Sequence, residues 1–425
     1  MSTGAPNPEA LPAVDAAVRP GQSWFMESAS HAGSTTAGWS ADVDRPAVTP
    51  ARTSWEWQWV PWLTVFGAAC IAYGVIWDIS WHSAIGRDTF WTPAHLLIHL
   101  GGLLGGLLGG WMILSSTFWR REEWRDRTVG ILGFRGPLGS WVAVWGAVGM
   151  LTSAPFDNWW HDAYGLDVKI LSPPHALLAA GMYAVVTGAM LMAVASRNRQ
   201  GGTGGNALML VAGGVQLSLS AILLTELSYP NLQRTAPFYL ATAAMYPSFL
   251  CAVARQGAIR FAATTVAGIY ALISMTMIWI LPLFAAEPKL APIFTPITHM
   301  VPPPFPLLLV VPALAIDLYA GWLRRWQTWI GDLVLAAGCA LLFTAAFVPV
   351  HWWFSEFLLS PAADNAFFAG NRFFSFASRP SWRGEYWGIE RNPVTPVTLG
   401  WTLLIALGAS IVGAVAGRFQ SSVRR

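Results

Sequence analysis

From residue 58 onward the chain alternates long apolar stretches with short polar turns. Ten stretches reach about 20 residues, the length needed to cross a hydrocarbon core. They cover 58–77, 92–116, 138–156, 175–195, 206–227, 237–254, 261–285, 304–323, 328–350 and 398–417. The pattern predicts an all-α integral membrane fold, a polytopic bundle of about ten transmembrane helices. The eighth stretch is the least regular, because Pro302, Pro303, Pro304, Pro306 and Pro312 crowd its start and proline lacks the N–H that a helix interior uses. Residues 1–57 are rich in Ala, Pro, Ser, Thr and Gly without an apolar run, which predicts a disordered tail. No charged segment followed by a short apolar core marks a cleavable signal, so the first helix is expected to direct insertion. The remaining organisation follows: a four-helix unit over 58–195, five further helices over 196–350, a loop over 351–397, and a last helix with a short tail over 398–425.

Composition agrees. Hydrophobic residues are 54% of 425 and charged residues only 11%, against about 25% charged in soluble domains. The 25 tryptophans suit membrane interfaces, where Trp is enriched. A lipid bilayer is the partner this implies, and a net charge of +3 gives no reason to expect nucleic acid. Cys70, Cys251 and Cys339 sit far apart in apolar runs and read as small packing residues.

Lys and Arg are enriched in cytoplasmic loops. Seventeen of the 25 fall in the two tails and in alternate loops around Arg120–Arg135, Arg197/Arg199, Arg255/Arg260 and Arg324/Arg325. The loops between hold Arg87, Lys169, Arg234, Lys289 and four residues of 351–397. Both termini are therefore expected to be cytoplasmic, in a bacterial-type inner membrane. On that topology seven of the eight histidines (His82, His95, His99, His161, His175, His299 and His351) fall at the extracytoplasmic face, and only His31 lies elsewhere.

Six of the chemistry-bearing residues form a repeat. W-D-I-S-W-H-S-A-I-G-R-D-T-F-W-T-P-A-H runs from Trp77 to His95, and F-D-N-W-W-H-D-A-Y-G-L-D-V-K-I-L-S-P-P-H from Phe156 to His175. The spacings are Asp78-x3-His82-x12-His95 and Asp157-x3-His161-x13-His175, an internal duplication of a helix–loop–helix unit. Asp and His at i and i+4 share one helix face, and the proline turn returns a third ligand on the next helix. Two nitrogens and one oxygen suit copper, zinc, iron or manganese and leave positions open. Ionisable groups at membrane depth are costly and favour a functional reading. The bland alternative is that Asp78 and Asp157 cap helices or pair with Arg87 and Lys169.

At these residues the sequence resembles the C subunit of the copper membrane monooxygenases, the particulate methane and ammonia monooxygenase family. The likeness rests on Trp81-His82 followed by R-D-T-F-W-T-P-A-H and covers roughly residues 59–195. It implies a copper site at Asp78, His82 and His95, also the catalytic residues, and a second at Asp157, His161 and His175. The family has Asn where Asp157 stands, so the second site is expected to lean towards zinc or iron. The activity implied is O2-dependent hydroxylation of a small apolar substrate, an alkane or ammonia. The family works with partner subunits, one carrying cupredoxin-like domains that this chain lacks; partner subunits or a homo-oligomer are expected. Residues 196–425 extend beyond the likeness.

Other residues carry weaker readings. His99 follows His95 by one turn as a candidate further ligand or partner. Glu226 is a candidate carboxylate, or a snorkelling interfacial residue. Asp317 lies in the eighth stretch as a proton-path residue or a helix–helix hydrogen-bonding group. The run Gly101–Gly110 permits close helix contact. The aromatic, Arg-containing 351–397 segment reads as a lid over the extracytoplasmic mouth. Two rivals to the enzyme remain: a copper or zinc transporter or chaperone, and a subunit of a larger membrane complex.

Overall fold

The computed structural model describes residues 59–424 except 120, 121, 123, 124, 166–171, 257, 258, 324–327, 371, 383, 384 and 387. The expected N-terminal tail, Lys169, Arg324, Arg325 and Trp387 lie outside these residues. Everything described belongs to one compact unit, Ser54–Arg425. Its helices are α1 (Trp59–Ala84), α2 (Pro93–Phe118), α3 (Leu138–Tyr164), α4 (Pro173–Gln200) and α5 (Gly202–Ala221), then α6 (Ala236–Arg255), α7 (Ala262–Ile280), α8 (Val310–Trp322), α9 (Trp329–Leu359) and α10 (Pro396–Ser422).

Among the described residues eight helices, not ten, are long and apolar enough to cross a membrane. The shortfall has two causes. Helix α8 spans only 13 residues, because the prolines before it hold the chain extended. Helix α3 has 27 residues, but its last turns carry Asp157, Asn158, His161 and Asp162. The result is a multi-pass helical membrane bundle. Leucines such as Leu103, Leu107 and Leu151 project outward from it, as lipid contact requires. Exposed tryptophans mark both ends: Trp91, Trp159 and Trp353 at one, Trp119, Trp322 and Trp329 at the other.

One small departure from an all-α chain occurs between α2 and α3. Strands β1 (Val129–Ile131) and β2 (Phe134–Gly136) pair antiparallel. Leu132 and Gly133 both have positive φ, 52° and 84°, the backbone of the tight primed turn that matches strand twist.

Close helix packing fixes the first half of the bundle. A Cβ on Gly101 would lie 2.4 Å from the Gly67 carbonyl oxygen, so α1 and α2 touch backbone to backbone. Helices α3 and α4 do the same at Gly146 and Gly181, where an added Cβ would meet backbone at 2.6–2.7 Å. The run Gly101–Gly110 thus permits the contact expected of it. Across α2 and α3, Gly102 faces Met150, Gly106 faces Ala147 and Gly109 faces Ser140. This antiparallel register brings the start of α2 beside the end of α3, and both histidine motifs to one end of the bundle.

Several helices run past their expected ends. Helix α1 continues to Ala84 and α3 to Tyr164, so Asp78, His82, Asp157 and His161 are helical. Helix α9 continues to Leu359 and takes His351, Trp352 and Trp353 out of the expected loop. The segment between α7 and α8 is longer than expected and docks on the first motif. Lys289 N donates to Ile85 O at 2.8 Å, and Phe376 N, from the later loop, donates to Ser83 O at 3.3 Å. Phe294 N and Thr295 N both donate to Phe376 O at 3.0 Å, joining the two segments over the end of α1.

Asp317 is a helix cap. Its carboxylate accepts from the N–H of Ala263 and Thr264 and from the Thr264 hydroxyl, at 3.2, 2.7 and 2.7 Å. Those are orphan donors at the start of α7, which a side chain must satisfy.

Candidate metal centre

The end of α1, the loop 85–92 and the first turn of α2 build the first cluster. Gly86 starts the loop with φ +89°, and a Cβ there would strike the Leu290 side chain at 2.8 Å. Trp81 Nε1 donates to Arg87 O at 2.7 Å, and Thr89 N donates to Thr92 Oγ1 at 2.8 Å. Pro93, in the first turn of α2, suits a position whose N–H would be unpaired anyway. These contacts turn Asp88 back towards the helix ends.

The outcome is a closed ring of alternating carboxylates and imidazoles. His95 Nε2 lies 3.0 Å from Asp78 Oδ1 and 3.3 Å from Asp88 Oδ2. His82 Nε2 lies 3.8 Å from Asp78 Oδ2 and 3.4 Å from the same Asp88 oxygen. Donor atoms of Asp78, His82 and Asp88 fall within 4.8 Å of one another, a set that does not include His95, which instead touches the two carboxylates. Donors about 2.0–2.2 Å from a tetrahedral ion stand roughly 3.4 Å apart, and the ring edges bracket that spacing.

Two observations test whether the donors fit an ion. His95 Nδ1 is 2.8 Å from Thr89 O; a carbonyl only accepts, so Nδ1 carries a proton and Nε2 is the nitrogen turned to the carboxylates, where the Asp78 carboxylate favours a second proton in the absence of an ion. A lone pair aimed at anions is repulsive unless a cation or a second proton lies between them. Asp78 Oδ1, moreover, is shut off from solvent and faces His95 Nε2 at 3.0 Å, so it is unpaired, at a cost for a carboxylate oxygen, unless that nitrogen carries a proton or an ion lies between them. A bound cation, or a proton on His95 Nε2, satisfies both groups. Asp78 pairs with the two imidazoles rather than with Arg87.

The second cluster is looser. His161 Nε2 lies 3.5 Å from Asp157 Oδ2, and His161 Nδ1 lies 3.0 Å from Gly165 O, which orients the ring as Thr89 orients His95. Asp157 Oδ1 is also buried without a hydrogen bond. His175, however, turns Nδ1 towards Asp157 at 4.0 Å, and the same nitrogen is 2.7 Å from Ser172 Oγ. The structure brings the three residues together but ties one donor to a hydroxyl. Asp167, which would correspond to Asp88 in the repeat, lies outside the described residues, as does Lys169.

The other candidates fall outside the ring. His99 stacks on Phe90, ring centroids 4.6 Å apart, and its centroid is 6.3 Å from that of His95. Glu226 is exposed in the turn Ile222–Leu227. His299 bonds Thr298 at 2.8 Å and lines an open cavity of about 450 Å³ together with Asp364, Arg372 and Phe374. His351 is wholly buried in α9 against Phe347. Asp88 is not among the ligands that the repeat spacing of Asp78, His82 and His95 offers. The signal that could have found it is its place inside the turn that returns His95.

No family model matches the chain, no curated protein matches it, and no solved structure matches it. The monooxygenase resemblance therefore rests on the motif residues themselves.

Proposed function

We propose that the protein is a membrane metalloenzyme holding a transition-metal ion among Asp78, His82, Asp88 and His95, with O2-dependent hydroxylation of a small alkane or ammonia as its reaction. The observation that carries this reading is the ring of two carboxylates and two imidazoles, with one Asp78 oxygen sealed from solvent against His95. The resemblance supports copper as the ion. A bound copper would supply one-electron chemistry with dioxygen. The chain's own residues would hold the ion, and Thr89 and Trp81 would fix the His95 ring and the loop. Overall the substrate C–H or N–H gains one oxygen atom, and an external two-electron donor and two protons convert the other to water.

A second reading has its own observation. Asp88 stands within the R-D-T of the resemblance, which does not give it as a ligand; as a hard fourth donor it favours zinc or iron. A zinc-filled site would be non-catalytic in redox terms and would suit a metal-binding protein. A transporter draws less support: Asp317 caps α7, and Asp332 is engaged by Arg255 and Arg418, so neither carboxylate is available to an ion path.

The arginine distribution supports cytoplasmic termini in an inner membrane and a metal centre on the opposite, extracytoplasmic side. Reporter fusions after Arg199 should then read cytoplasmic and one at Gly86 extracytoplasmic; the reverse would overturn the topology. The reaction is tested by oxygen uptake of copper-loaded protein with a reductant and a short alkane or ammonia. Substrate-dependent uptake lost in Asp78→Ala is the expected result. Full metal retention without any such uptake would leave the metal-binding reading and remove the enzyme.

A further inference from the structure

The end of the bundle opposite the histidines has its own charged cluster. Arg197 from α4 is buried, 9% exposed. Its Nη1 donates only to neutral oxygens, Asn198 Oδ1 at 3.1 Å and Gln256 Oε1 at 3.4 Å. Gln256 Nε2 donates to Gln420 Oε1 at 2.6 Å. Beside that link, Arg255 of α6 and Arg418 of α10 share one carboxylate, Asp332 of α9. Arg199 donates to Arg424 O at 2.9 Å. Two guanidinium groups, Arg255 and Arg418, thus share Asp332, while Arg197 and Arg199 bond neutral oxygens, and among the described residues Arg197 has no carboxylate partner.

Helix ends do not close the gap. The C-termini of α4, α6 and α10 lie here, each worth about half a negative charge. The N-termini of α5 and α9 return about half a positive charge each, so these helix ends together offset only about half a charge. Buried charges are paired in folded proteins. A planar guanidinium matches phosphate oxygens in two-point contacts, and basic pockets between transmembrane helices are suited to lipid headgroups.

We propose that this cluster binds a phosphate-bearing anion against Arg197, with Gln256 as a neutral neighbour and Arg418 at the exposed edge. The chemistry is shared by two sources, an anionic phospholipid headgroup and free phosphate, and the test separates them.

The full-length protein, purified in detergent, is titrated with phosphatidylglycerol in mixed micelles, with phosphatidylcholine as control, and with inorganic phosphate. Thermal midpoint and native mass are read for the wild type, Arg197→Gln and Arg197→Lys. The expected result is stabilisation and retained adducts with phosphatidylglycerol but not phosphatidylcholine, with about tenfold weaker binding in Arg197→Gln, the scale of one lost charge-assisted contact. Arg197→Lys keeps the charge without the fork and should fall between. The same Arg197-dependent shift with phosphate alone assigns the site to the free anion. Equal responses in the wild type and Arg197→Lys, or none to either anion, overturn the proposal. Should Arg197→Gln fail to fold, Arg197→Lys and the wild-type lipid selectivity still decide it.

Discussion

His95 Nε2 and Asp78 Oδ1 face each other at 3.0 Å across the gap between α2 and α1. Seventeen positions separate them in the chain, and the contact exists because a proline turn reverses direction and two helices pack at their glycines. Asp88, from the turn itself, completes the arrangement on the far side of both imidazoles.

Asp88 should therefore behave as a ligand. Asp88→Ala is expected to lower metal content. Asp88→Asn keeps an oxygen but removes a charge, and should raise copper relative to zinc, because a hard anionic donor has been withdrawn. Metal analysis of both variants after dialysis against equal copper and zinc checks this. Unchanged content and ratio would return Asp88 to a loop-orienting role.

Close helix contact should be required by the site as well as by the fold. Gly101→Val puts branched carbon where the Gly67 carbonyl already stands. Overpacking of this kind typically costs about 1–3 kcal/mol. Because it pushes α2 off α1 and so separates His95 from Asp78, metal occupancy should fall along with the thermal midpoint. Gly110→Ala, where an added Cβ meets nothing within 4 Å, serves as the silent control.

The two motifs should differ in metal binding. His175 Nδ1 is engaged by Ser172 Oγ, while His95 keeps its Nε2 towards the carboxylates. Ser172→Ala is expected to raise second-site occupancy by releasing that nitrogen. Asp157→Asn should shift the site from zinc towards copper. If neither substitution alters metal content or preference, the duplication carries one working centre.

Alkaline pH should loosen the loop region. Burial pushes the Tyr229 hydroxyl up to about 12, with the Glu226 carboxylate adding to the effect. The unfolded chain ionises its tyrosines near 10, so between about pH 10 and 12 the unfolded state binds fewer protons and stability falls as pH rises. The loss from this group is at most about 3 kcal/mol. Tyr229→Phe should reduce the drop in thermal midpoint over that window; an identical drop would assign it elsewhere.

Much of this was legible in the sequence because both signals are local. The span of α1 follows from apolar length, and Asp78 and His82 meet through helical spacing alone. His95 was also readable, since the proline at position 93 suits a helix start and places His95 two residues later, in the first turn. Asp88 was not, because the loop conformation depends on Trp81 reaching back to Arg87 and on Leu290 from a segment 200 residues away. The roles of Asp317 and His351 were hidden for the same reason: a cap and a buried stack are made with helices that only the tertiary fold supplies. Ser172 beside His175 is a three-residue contact, yet nothing in the spacing says which ring nitrogen will turn towards it.

Whether Asp78, His82, Asp88 and His95 hold a metal ion is decided by the metal stoichiometry of the purified full-length protein. The wild type is expected to retain about one transition-metal ion at this centre through dialysis. His82→Ala and Asp78→Ala should each weaken it by more than the roughly 10–100-fold that loss of an outer partner costs, since the remaining donors cannot hold the geometry. Acidification should release the ion as the imidazoles take up protons. Metal content that is equal in the wild type and both variants, in proteins that remain folded, would show that these residues do not hold an ion.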